Sequence, residues 1–152
     1  HCNYNALANT DDGSCVYAQE GYDCDGNFLL QIGDQYAGGM IFQINEDGTG
    51  LVADVFNNLG QETWDFSMNA TESSTSEGYE DWYLPSLEEL ELMYNTIGKG
   101  GSEGNIGGFP DNQFWSSSEI SNSNAWTVHF SNGTTNGPNK GNVARIIGIR
   151  AF

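Results

Sequence analysis

Acidic and amide side chains at alternate positions mark the start of this chain. Asp23, Asp25 and Asn27 are spaced by two, with Gly26 between the last pair. Hard cations take several oxygen ligands from one short loop, and this spacing around a glycine turn supplies them. Asn3, Asn5, Asp11 and Asp12 add oxygen donors to the same stretch, so calcium is the expected cofactor. An ordinary Asx-turn loop is the competing reading, because Asn and Asp bond their own backbone in turns. The pattern lacks the downstream glutamate of an EF-hand.

The cysteines Cys2, Cys15 and Cys24 lie in this stretch, and none follows. Such clustering in a loop-rich segment suggests disulfide stapling in an oxidising compartment. Cys2–Cys15 is the favoured pair, although spacing alone does not fix connectivity. Zinc is disfavoured, since no CxxC pair is present.

Nucleophilic catalysis finds little support. Ser116, Ser117 and Ser118 follow Trp115, but no Gly-x-Ser-x-Gly elbow is present, and the histidines are His1 and His129. The chain is expected not to be an enzyme.

The 152 residues carry 21 acids and 4 bases, a net charge of −17. Residues 1–98 hold 18 of the acids and neither Lys nor Arg. No basic patch exists to neutralise phosphates, which argues against nucleic acid and anionic membranes. No run of about 18 apolar residues is present to span a bilayer. The opening His1-Cys2 suggests that something preceded it.

Elements that could position a site come next. Residues 40–44 and 51–55 are apolar and β-branched around the turn Asn45-Glu46-Asp47-Gly48, a predicted hairpin. Gly38-Gly39 predicts a close backbone approach or bend. Residues 57–81 read as polar and irregular, with Trp64 and Phe66 as anchors and an exposed loop from Asn69 to Glu80. The main helix begins after Pro85. Ser86 and Glu89 form a capping box, Leu87, Leu90, Tyr94 and Ile97 share a face, and Gly98 ends it. Strands follow at 114–118, 125–130 and 143–152. Trp82, Trp115 and Trp126 are core candidates, and Arg145 and Arg150 are expected to pair with acids.

Two blocks of sequence resemble known families. Cys2-Asn3-Tyr4-Asn5, Asp11-Asp12-Gly13-Ser14-Cys15 and Tyr22-Asp23-Cys24-Asp25-Gly26-Asn27 resemble a small cysteine-containing repeat of secreted marine bacterial and viral proteins. Its further cysteine is replaced here by Phe28, which leaves the partner of Cys24 open. From Gly38-Gly39-Met40 through Trp82-Tyr83-Leu84-Pro85-Ser86, Phe114-Trp115-Ser116 and Arg150-Ala151-Phe152, the chain resembles the C-terminal domain of collagen-like bacterial adhesins. That domain is related to C-type-lectin-like and formylglycine-generating domains. Formylglycine chemistry needs redox-active cysteines, which residues 25–152 lack.

The resemblance implies an α+β, C-type-lectin-like domain over 36–152, with antiparallel strands and one main helix. A disulfide-stapled, calcium-leaning loop module over 1–30 precedes it. It implies an extracellular, cell-surface or virion-surface recognition module for a surface glycan or protein, displayed as a homo-oligomer and not inserted into membrane. A structural subunit or cap of an extracellular filament or phage fibre is the alternative. The adhesin member is a trimer that binds sulfated glycosaminoglycans, which is what the resemblance implies, whereas this chain has only four cations to meet such a ligand. Trp64, Lys99, Asn112, Asn132, Asn136, Asn139 and Lys140 are the expected ligand contacts.

Overall fold

The computed structural model describes residues 22–25 and 29–152. The chain divides into two compact units, His1–Gln31 and Ile32–Phe152. In the first, the Asp25 amide donates to Asp23 Oδ1 at 2.9 Å, and Cys24 is disulfide-bonded. With three cysteines in the chain, the bond at Cys24 takes Cys2 or Cys15 and so excludes the favoured Cys2–Cys15 pair; the candidate ligands Asn3, Asn5, Asp11, Asp12 and Asn27 lie outside the described residues.

The second unit opens with a four-stranded antiparallel sheet. It contains β1 (Gln35–Tyr36), β2 (Gly39–Ile44), β3 (Gly50–Ala53) and, from the far end of the unit, Ile149–Ala151. The predicted hairpin is β2–β3, with a bulge between Ile41 and Gln43. The bulge places consecutive side chains, Ile41 and Phe42, in the interior, where both are fully buried. Gly39 sits at the close approach that its sequence predicts, since a Cβ there would lie 2.5 Å from the Ala53 carbonyl oxygen.

After β4 (Gln61–Glu62), the segment expected to be irregular forms a helix, α1 (Trp64–Glu72). Its buried face is Trp64, Ser67 and Thr71, so two small polar residues stand where apolar ones would have signalled a helix. Their hydroxyls are satisfied within the helix region: Ser67 donates to the Thr63 carbonyl, and Thr71 to Ser67 and Met68. A one-turn 3-10 segment, Ser76–Gly78, follows.

The helix α2 (Leu87–Thr96) starts as its sequence predicts. Ser86 Oγ accepts from the Glu89 amide at 3.2 Å, and Glu89 Oε1 accepts from the Ser86 amide at 2.9 Å. Leu90, Met93 and Ile97 are buried with Phe42, Phe114, Val128, Phe130 and Ile149. Each such side chain contributes about 1.5–3 kcal/mol by leaving water. The helix thereby joins the first sheet to the second.

That second sheet holds β4, β5 (Gln113–Glu119), β6 (Ala125–His129), β7 (Thr135–Asn136) and β8 (Ala144–Arg145), in the order β4-β8-β5-β6-β7. Its one parallel pairing among the described strands joins Phe114 to Arg145. The expected strand 143–152 is in fact two. The chain leaves the second sheet after Arg145, and the Gly148 carbonyl accepts from the Asp54 amide. The chain then enters the first sheet as β9 (Ile149–Ala151), beside β3.

Trp82 and Trp115 are buried as expected. Trp126, also a core candidate, is only half-buried on β6. The serine run of β5 has a structural task. Ser116 Oγ donates to the Trp126 carbonyl, and Ser118 Oγ accepts from the Leu87 amide at the start of α2.

Candidate functional site

A cleft of about 340 Å³ opens where the chain crosses between the two sheets. One wall is the segment after β3, Asp54 to Asn58. A second is the loop Gly107-Gly108-Phe109-Pro110, and a third is the strand end Arg145-Ile146-Ile147 beside Phe114.

Each wall is held by its own bonds. Ser76 Oγ donates to Asp54 Oδ1 at 3.0 Å, and the Ser76 carbonyl accepts from Trp82 Nε1. The loop wall is clamped by Asn105, which donates through Nδ2 to the Phe109 carbonyl and accepts the Phe109 amide. Gly107 has to be glycine, since a Cβ would lie 2.3 Å from the Phe109 ring, and Gly108 has a positive φ of 68°. Behind the loop, Phe109, Phe114 and Phe130 form a ring cluster with centroids 4.6–5.8 Å apart. The back of the cleft is therefore rigid and apolar.

Two polar atoms on this lining are out of balance with the rest of the molecule. Asp54 is 1% exposed, and its Oδ2 has no hydrogen-bond partner. The buried Nε of Arg145 also has none. Burial pushes the Asp54 carboxyl above its usual range, partly offset by the Ser76 and Asn57 side chains. Buried polar groups are nearly always satisfied, and the two residues that break this rule among those described both line the cleft.

The expected ligand residues lie elsewhere and do not converge. Trp64, expected as a ligand contact in an irregular segment, is 8% exposed at the start of α1, and its Nε1 donates to the Ser116 carbonyl at 2.8 Å. Burial in the packing between α1 and β5 removes its ring as a ligand platform. Lys140 lies over that ring, 4.1 Å from its centroid, and pairs with Glu119 at 2.6 Å. Lys99 pairs with Asp111. Asn132 and Asn139 accept from the Thr134 and Gly141 amides, which shapes their own turns. Asn136 is exposed on β7. Asn112 lines a smaller hollow of about 170 Å³ with Gln113 and His129.

In the sequence, the Gly107–Pro110 wall reads as the end of a Gly-rich loop over residues 98–112. Asp54 reads there as a strand residue and Arg145 as an ion-pair partner; their joint position needs the crossing between sheets. Among the described residues, no group of three or more His, Cys, Asp and Glu is placed to hold a metal. Nor is any helix among them long and apolar enough to cross a membrane. Residues 43–150 match the family model described as the Lcl C-terminal domain. No curated protein matches the chain.

Proposed function

The chain belongs to the Lcl C-terminal domain family, and on that premise we propose that it is an extracellular, adhesin-like recognition module that takes a surface ligand in the cleft beside Arg145. The observation that carries this reading is that Asp54 and Arg145, whose Oδ2 and Nε find no partner within the chain, line one concave surface. The module is non-catalytic in this reading. His129 Nδ1 sits 2.7 Å from Ser131 Oγ and also accepts the Ser131 amide, a contact that closes a local turn. A nucleophile–base pair needs a third group to orient the base, and no hydrogen bond of the described residues holds the other ring nitrogen. Display as a homo-oligomer would raise weak single-site contacts to useful avidity.

The test is a glycan and cell-surface array probed with the protein tetramerised on a carrier. Asn58→Trp, which fills the cleft from its open side, is the paired variant. Binding that Asn58→Trp abolishes is the expected result; equal binding by both proteins overturns the reading.

A second reading, a subunit or cap of an extracellular filament, is favoured by large apolar side chains exposed at Phe66, Ile120 and Val143. Assembly that grows with concentration and is abolished by Phe66→Asp, with no array binding, is the outcome that selects it.

A further inference from the structure

The four cations of the second unit are not equivalent. Lys99 is paired with Asp111, Lys140 with Glu119, and Arg150 with Asp81. Arg145 is the one cation among the described residues with no carboxylate partner, and its side chain makes no hydrogen bond. Leaving a buried guanidinium nitrogen unpaired is costly, and the cost is recovered when an acceptor arrives. A guanidinium offers a planar fork of donors that matches a carboxylate.

The opposite wall asks for something else. Asp54 Oδ2 lacks a donor, and Asn57 and Asn58 line the same cleft, Asn57 donating to Ser74 Oγ and Asn58 accepting the Gly60 amide. This wall suits hydroxyl groups, which both donate and accept. Phe56, 49% exposed, and Pro110 offer apolar surface for a ring face. The volume, near the lower end of the roughly 300–1,000 Å³ of small-molecule sites, suits a compact ligand.

Charge limits the choice further. One free cation in a chain of net charge −17 can compensate a single anionic group. A densely charged polymer would meet uncompensated repulsion.

We propose that the cleft binds a sugar acid: a hydroxylated ring whose single carboxylate pairs with Arg145 and whose hydroxyls meet the wall formed by Asp54, Asn57 and Asn58. This rests on the recognition reading above and narrows it from surface ligands in general to monoanionic carboxylated saccharides.

The experiment is titration calorimetry of the full chain with glucuronate, glucose and dextran sulfate, alongside amide NMR shifts of Gly107 and Gly108. Glucuronate is expected to bind at least tenfold more tightly than glucose, about 1.4 kcal/mol. Arg145→Gln should erase that preference, while Lys99→Met, a remote cation, should leave it intact. The inference is overturned if the two sugars bind alike, if Arg145→Gln keeps the preference, or if dextran sulfate binds tightest through Arg145. Equal shifts by glucose and glucuronate sink the sugar-acid inference and leave the recognition reading standing. If no saccharide on the array moves Gly107 or Gly108, both fall.

Discussion

Arg145 and Arg150 stand on consecutive strands, β8 and β9, and meet opposite surroundings. Arg150 is 9% exposed and fully engaged. Its Nε and Nη2 donate to the two oxygens of Asp81 at 2.7 and 3.2 Å, Nη1 donates to the Ala37 carbonyl at 2.7 Å, and its guanidinium lies 3.7 Å from the centre of the Tyr79 ring. Arg145 faces the cleft with a buried nitrogen that bonds to nothing. The acids nearby differ in the same way. Arg150 holds the Asp81 carboxyl below its ordinary range, whereas burial lifts that of Asp54. One region is closed on itself and stabilises the fold, and the other is left open at the fold's expense. The same side chain thus meets a partner from its own chain at Arg150 and none at Arg145.

Substitutions can break this contrast. Arg150→Met should have the largest effect, a loss of about 2–3 kcal/mol in urea unfolding, because a charge-assisted bond to a main-chain carbonyl and a stacked ring disappear together. A loss below about 0.5 kcal/mol would remove the distinction between the two arginines.

Asp81→Asn should cost less, about 0.5 kcal/mol, since the Asp81 side chain is 60% exposed. A depressed carboxyl stabilises the fold above its unfolded value of 3.8 and loses that contribution as pH falls through the folded value. The gap between wild type and Asp81→Asn should therefore close below about pH 4.

Asp54→Asn should run the other way. A carboxyl raised by burial weakens the fold once ionised, and the penalty fades as pH falls through its folded value toward 3.8. This variant should melt above wild type at pH 7, with the difference shrinking toward pH 4. A constant difference across that range would mean that ionisation of Asp54 is not its source. Arg145→Gln should have the smallest effect on unfolding, within about 0.5 kcal/mol, because no intramolecular partner is lost.

The sequence carries much of this architecture where the signals are local. The β2–β3 hairpin, the capping box at Ser86 and Glu89 and the core positions of Trp82 and Trp115 all follow from neighbouring residues. Helix α1 was hidden because its inward face is Trp64, Ser67 and Thr71, and buried hydroxyls leave no apolar period to detect. Trp64 read as a ligand contact for the same reason. The cleft was hidden by distance along the chain: Asp54 and Arg145 share a lining only because the strand expected at 143–152 breaks at Ile146–Gly148 and changes sheets. Nothing local to Arg145 separates it from Arg150.

The pairing of β3 with β9 bears on how the domain reaches its native state. Leu51 lies opposite Ala151, a hundred positions away, while only residues 45–49 separate β2 from β3. The hairpin can form within about microseconds, but closure of the long loop belongs to the slower, topology-limited regime. Until β9 docks, one edge of β3 exposes unpaired amides and carbonyls beside Val52, and such an edge pairs readily with other chains. Residues 1–98 carry 18 acids and neither Lys nor Arg, so two chains that await the last strand repel one another, a brake on premature association.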